Sequence, residues 1–303
     1  AIIQYGFAIN ELQLSENNGS HFYIDLHSKS KSTSDSYNIL IQNKNRKTPT
    51  NATVSKAQYY NVSKENLAEL RTQKPDFFTQ EIKIDNKSVK LILEKVNVTS
   101  PDFHITTSDG RVLYPDMSEL LHYRGVIANE STSWVTLSIT KDKIKYLITS
   151  PEGNYEINQV EENMYAGYYS KDQKSIPYYD DKTVDDVRNS VHQNAQNAGS
   201  RVGSCLEIYF ECDNKTYGTL GDINSVTNWV TSLTNDVAAI YALHNVPLYM
   251  SELFIWTTDD PYTNLTNIGA IRDEFVQTLQ NNYDGRIAHL LSVRALGGGI
   301  ANG

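Results

Sequence analysis

The order of elements from Cys205 to Gly303 constrains this chain most. Leu206–Glu211 alternates like a strand, and Asp222 or Asn224 can cap a helix that carries Val226, Trp229, Val230, Leu233, Val237, Ile240 and Tyr241 on one face. Pro247 marks the end of that helix, and Pro247–Thr257 reads as a second strand. Thr263–Gln280 supplies Ile268, Ile271, Phe275 and Leu279 for a second helix, and Ile287–Val293 reads as a third strand. Leu296-Gly297-Gly298-Gly299-Ile300-Ala301 follows as a glycine-rich strand. Strands that alternate with helices call for a mostly parallel sheet joined by right-handed crossovers. Covering both faces of such a sheet normally takes more chain than this stretch offers, so the pattern predicts a truncated unit.

The preceding region has another character. Residues 1–20 form an N-terminal segment, and 21–168 read as a β-rich unit. Its strands include His21–His27, Ser36–Gln42, Ser88–Lys95, His122–Asn129, Ser133–Ile139 and Lys143–Thr149, with Asn154–Asn158 as the last. One amphipathic helix is predicted over Lys64–Thr72, capped by Ser63. Between 169 and 204 the apolar residues thin out and no period is sustained, which marks an exposed connector or activation segment.

Totals exclude several classes of partner. The net charge is −9 and the Lys and Arg residues are scattered, so a basic footprint for nucleic acid is missing. No apolar run approaches the ~20 residues that a membrane-spanning helix needs. Asn, Ser, Thr and Tyr are abundant, a composition common in exported (secreted or cell-surface) proteins without being diagnostic of them. Two cysteines, Cys205 and Cys212, bracket the first strand of the second unit. Seven residues apart, they point to opposite faces about 23 Å apart, beyond the ~7 Å reach of a disulfide. They are either free buried thiols or partners of cysteines outside this chain.

These residues resemble a known family. Leu206-Glu207-Ile208-Tyr209-Phe210-Glu211-Cys212-Asp213, then Tyr217, Gly221-Asp222 and the Trp229 helix, are similar to the opening of adamalysin/reprolysin-type (metzincin) zinc metallopeptidases. So are Leu253-Phe254-Ile255-Trp256-Thr257 and Ala288-His289-Leu290-Leu291. Upstream, His122–Ile127 and Ser133–Ser138 resemble the strand pair that closes a reprolysin propeptide. The resemblance implies a β-rich prodomain followed by an α/β metzincin-like N-terminal subdomain. That subdomain would have a mostly parallel twisted sheet with an antiparallel edge strand, truncated at the C-terminus. It further implies a secreted zinc metalloendopeptidase zymogen that acts on a protein or peptide and is completed by its own C-terminal catalytic half. In that family the edge strand, here Gly297, Gly298, Gly299, Ile300 and Ala301, pairs with substrate through its backbone; a plain glycine-rich turn is the other reading.

The departures matter as much. The zinc signature His-Glu-x-x-His-x-x-Gly-x-x-His, with its zinc ligands and general base, does not occur in this sequence. No zinc ligand or catalytic residue is therefore assigned, and the chain alone is expected to be inactive. No cysteine precedes Cys205, so latency through one ligand would fall to an acidic residue such as Asp180 or Asp181. Some relatives bind calcium through an acid on the first strand, where Glu207 stands, but the partner position holds Arg286. The resemblance also implies that Cys205 and Cys212 bond to the missing part. The rival reading is a non-enzymatic β module acting as inhibitor, folding helper or adhesin. A doubly wound ligand-binding domain ranks last, because Gly218-Thr219-Leu220-Gly221 is too sparse for a phosphate-binding loop.

Overall fold

A computed structural model describes Leu26 and residues 35–48, 53–141, 143–174, 205–263, 267–280, 282–296 and 299. Its largest element is a nine-stranded, wholly antiparallel sheet. In chain order the strands are β1 (Leu40–Asn43), β2 (Gln58–Val62), β3 (Phe77–Ile84), β4 (Lys87–Val96), β7 (Leu121–Ile127), β8 (Trp134–Ile139), β9 (Ile144–Ser150), β10 (Gly153–Glu161) and β11 (Met164–Tyr169). Their spatial order is β1-β2-β11-β10-β9-β8-β7-β4-β3, with β1 and β3 at the two ends. Just before β1, Tyr37 donates its amide to Thr79 O at 3.0 Å and Thr79 donates to Asp35 O at 2.9 Å, so the sheet nearly closes into a barrel. Closure leaves little unpaired edge.

Local chemistry sets the pairings. Asp85 and Asn86 both have positive φ, the two-residue turn whose twist suits the β3–β4 hairpin. Gly125 in β7 lies so close to β4 that a Cβ there would sit 1.8 Å from the Ile92 carbonyl oxygen. The helix α1 (Lys64–Gln73) is capped by Ser63, whose Oγ accepts from Asn66 N, and it packs Leu67 and Leu70 into the barrel core. That core is rich in tyrosine. The hydroxyls of Tyr60 and Tyr155 meet at 2.8 Å, Tyr60 donates to Lys83 O at 2.6 Å and Tyr146 to Gln80 Oε1 at 2.6 Å. These bonds keep the polar ends of large side chains satisfied where water is excluded.

The second sheet has the order β14-β12-β13-β5-β6, with β5 (Thr99–Thr107), β6 (Val112–Leu113), β12 (Leu206–Cys212), β13 (Leu248–Ile255) and β14 (Ile287–Leu291). β12 runs parallel to β13 and β14, β13 is parallel to β5, and β6 is antiparallel to β5. Three helices link the later strands: α2 (Asn214–Leu220), α3 (Ile223–Leu243) and α4 (Ile268–Leu279). Asp213, Asp222 and Asn267 cap them through their side-chain oxygens.

This architecture corrects the expected fold class. The molecule is mostly antiparallel β, dominated by the barrel-like sheet with few helices, and is not built around a parallel, twisted α/β sheet of metzincin type. The parallel strands are a minority, and the described residues of 205–303 do not make a sheet of their own. Two of the five strands, β5 and β6, come from the N-terminal region, and β6 forms an antiparallel edge beside β5. The physical reason is burial: Phe103 and Ile105 of β5 share one core with Ile208, Phe210, Leu248, Met250, Leu253 and Ile255. Asn154–Asn158 is also not the last strand of the first unit, since β11 follows and pairs with both β10 and β2.

Candidate functional site

Three polar clusters stand out, two built at the end or on the face of the second sheet and one between α3 and the barrel. The first lies at the carboxyl ends of β12, β13 and β14. Asp213 is fully buried; its Oδ1 accepts from Thr216 N at 2.7 Å and its Oδ2 from Ser292 Oγ at 2.5 Å. Arg294 bridges Asp213, at 3.3 Å, to Asp260, which it grips with Nη2 at 2.8 and 3.0 Å. Asp260 also accepts from Asn214 N at 2.9 Å and Tyr262 N at 3.0 Å. Every oxygen of the two carboxylates is occupied by an internal donor, so this network locks three loops together.

The second cluster centres on Glu211, on the sheet face opposite α3. Its carboxylate accepts from Trp256 Nε1 at 2.5 Å, from Tyr209 OH at 2.9 Å and from Tyr262 OH. Phe275 and Leu279 of α4 close the aromatic cluster around it. Burial raises the Glu211 carboxyl above its usual range, against the three donors that pull it down. The tyrosine hydroxyls of Tyr209 and Tyr262 are pushed up in turn by burial and by the neighbouring carboxylate. A caged, satisfied carboxylate of this kind orders the loop carrying Tyr262.

The third cluster is the seam between α3 and the barrel. α3 has one charged residue, Asp236, in twenty-one positions and buries two faces. Val226, Val230 and Ala238 pack on the parallel strands, while Ala239, Ile240 and Leu243 meet Ile92, Val126 and Trp134 of the barrel. Between these apolar patches Arg124 Nε donates to Asn235 Oδ1 at 3.0 Å. Asn235 Nδ2 donates to the carbonyl oxygens of Tyr123 (3.3 Å) and Leu137 (3.2 Å) and to Ser138 Oγ (3.2 Å). Asp236 accepts from Thr136 Oγ1 at 2.5 Å and pairs with Lys145 Nζ at 2.5 Å. Burial beside Arg124 pushes His122 down to about 3, so its ring is neutral, with Nδ1 2.9 Å from Ser138 Oγ.

The residues singled out from sequence are dispersed. Glu207 lies on β12, partly buried, and its carbonyl accepts from Arg286 N at 2.8 Å. Gly299 is exposed, while Gly297, Gly298, Ile300, Ala301, Asp180 and Asp181 lie outside the described residues. Cys212 is buried and Cys205 half-buried, both as free thiols. Burial, reinforced by Asp213 and Glu211, raises the Cys212 thiol and keeps it protonated. Sequence reasoning missed Asn235, Asp236, Arg124 and Lys145. The available signal was α3 itself, since a helix of that length with a single charge has no face fit for water.

Among the described residues no group of three or more His, Cys, Asp or Glu side chains converges to hold a metal ion. His104, His122 and His289 sit on different strands, β5, β7 and β14, and His244 follows the end of α3. The described residues therefore assemble no donor set for zinc or calcium. No helix among the described residues is long and apolar enough to cross a membrane.

No family model matches the chain, and no curated protein matches it. Among solved structures, it is similar to metalloproteinase-II from Bacteroides fragilis, at 8% identity and a TM-score of 0.34. That alignment covers 73% of this chain and 64% of the other, so this chain spans just under two thirds of that protein's length. A likeness at that level names a metalloproteinase neighbour and transfers no residue.

Proposed function

We propose that this chain is the pro-region and front portion of a secreted zinc metalloendopeptidase precursor, with the N-terminal barrel serving as the scaffold on which the following segment folds. The observation that carries this reading is strand donation. β5 and β6 of the N-terminal region complete the sheet of the segment that resembles a peptidase, and the barrel covers the outer face of its longest helix. A pro-region acts as a template in this way when the segment it guides cannot bury its own core. The residue-level support is the run Leu206–Asp213 with Tyr217, Asp222, Trp229 and Leu253–Thr257. Zinc, calcium, a peptide substrate and a C-terminal catalytic half belong to the proposal, as does pairing of substrate with Gly297–Ala301.

A second reading keeps the scaffold and drops the catalysis: a non-enzymatic module that inhibits, assists folding or adheres. It is favoured by the lack of the zinc-binding signature in these 303 residues. One experiment separates the two. The reading frame of the gene is sequenced through its stop codon, and the whole product is expressed and assayed on casein with and without a chelator. A His-Glu-x-x-His-x-x-Gly-x-x-His helix with chelator-sensitive hydrolysis supports the precursor reading. A frame that ends without that helix and yields an inert product overturns it and leaves the binding module.

A further inference from the structure

The connector between Lys174 and Cys205 is the covalent link between the barrel and the following segment, but the contacts that join them lie elsewhere. β5 and β13 pair in register from His104↔Glu252 to Thr107↔Ile255. Met250 N donates to Val98 O at 2.8 Å and Ser108 N to Ile255 O at 3.1 Å, which extends the main-chain ladder at both ends. Phe103 and Ile105, 7% and 2% exposed, belong to the core formed with β12, β13 and α3. Pulling β5 away would uncover that core and leave β13 as a long open edge, both costly in water.

The seam under α3 adds specificity to this apolar adhesion. Asn235 bonds to two barrel carbonyls, a barrel hydroxyl and the Arg124 guanidinium, and Asp236 meets Thr136 and Lys145. These groups come from β7, β8 and β9, so the seam ties α3 to three neighbouring barrel strands through buried polar bonds that parting the two pieces would break. Such a surface, with an apolar centre and buried, matched polar groups, has the make-up of a lasting protein–protein interface.

We propose that the barrel with its β5–β6 arm and the segment 205–296 remain bound as a two-chain complex after the connector is cut. The interaction surface is the β13 edge together with the α3 seam, and its partner is the other piece of this same chain. Cutting the connector therefore nicks the molecule without opening it, and release needs a further event that removes β5. The inference goes beyond the precursor reading and survives its failure, because the test reads association and not hydrolysis.

The test uses the full chain with a site-specific protease sequence placed in the connector. After complete cleavage on a denaturing gel, the native sample is run on size exclusion with light scattering at micromolar and at nanomolar concentration. The expected result is one species near 34.2 kDa at both, with the two pieces parting only in denaturant. Two native species at micromolar concentration, or a free barrel beside an aggregated second piece, would overturn the proposal. Asp236→Asn keeps the shape of the side chain and removes its charge; after cutting it should weaken the complex at least tenfold while the uncut variant stays folded by circular dichroism. An unchanged affinity in that variant would remove the seam from the account and thereby contradict it.

Discussion

The two sheets of this molecule solve the same problem in opposite ways. The barrel satisfies its own edges, since Asp35–Tyr37 returns to Thr79 and the interior tyrosines bond to one another. The five-stranded sheet satisfies its β13 edge only with a strand from the N-terminal region, and one of its principal helices is covered by the barrel. A closed sheet can fold from local hairpins, whereas the second sheet must wait for contacts between residues about 150 positions apart. The difference teaches that the N-terminal region is the self-sufficient partner and the later segment the dependent one.

The largest effect that would break this comparison is at Gly125. A Cβ there meets the Ile92 backbone, so Gly125→Ala should cost about 4 kcal/mol or more, read as the urea midpoint, and should unfold the later segment together with the barrel. If residues 205–296 kept their structure, their dependence on the barrel would be refuted. Next is Ile105→Ala in β5, with an expected loss of about 3 kcal/mol from a site 2% exposed. A change below about 1 kcal/mol would mean that β5 is ornamental to the second core.

Acid should act on the seam. His122 is pushed down to about 3 in the folded protein, so the unfolded chain takes up a proton near pH 6.5 that the folded chain refuses. Its contribution is complete above pH 6.5 and falls as the pH drops, by about 2 kcal/mol between pH 6.5 and 5. Urea titrations across that range should show the slope in the native chain and its loss in His122→Asn, whatever the variant's absolute stability. The smallest effect concerns Glu211. Its carboxyl is raised, so it stabilises least where it is ionised, and stability should decline as the pH rises through the ordinary carboxylate range toward the raised value. Glu211→Gln retains hydrogen-bonding groups facing Tyr209, Trp256 and Tyr262, and should leave thermal stability at pH 7 unchanged or slightly higher. A loss of several degrees in the variant would show that the ionised form holds the cage together.

Much of the barrel was legible because hairpin strands advertise themselves by alternation and turns: Lys87–Val96, Leu121–Ile127, Trp134–Ile139 and Ile144–Ser150 lie close to their predicted spans. The helices α1, α3 and α4 were legible from apolar spacing and from Ser63 and Asp222 as caps. β5 was not. Its opening, Thr99-Ser100-Pro101-Asp102, breaks the alternation and carries a proline, and only Phe103 and Ile105 have the apolar character of a strand. What makes it a strand is the waiting edge of β13, a property of another part of the chain. The seam was hidden for a related reason: Thr231, Thr234, Asn235 and Asp236 look like an exposed polar face until a second sheet is laid over them.

The most direct measurement of the central claim is hydrogen exchange followed by mass spectrometry on peptides from 99–107, 121–127 and 248–255. If β5 completes the second sheet and the barrel supports it, peptides from β5 and β13 lose protection together in a single cooperative step. They should do so no later than β7, as denaturant is raised toward the midpoint. Rapid exchange of 99–107 in native buffer, with 248–255 still protected, would contradict the account by showing that the second sheet stands without its borrowed strand.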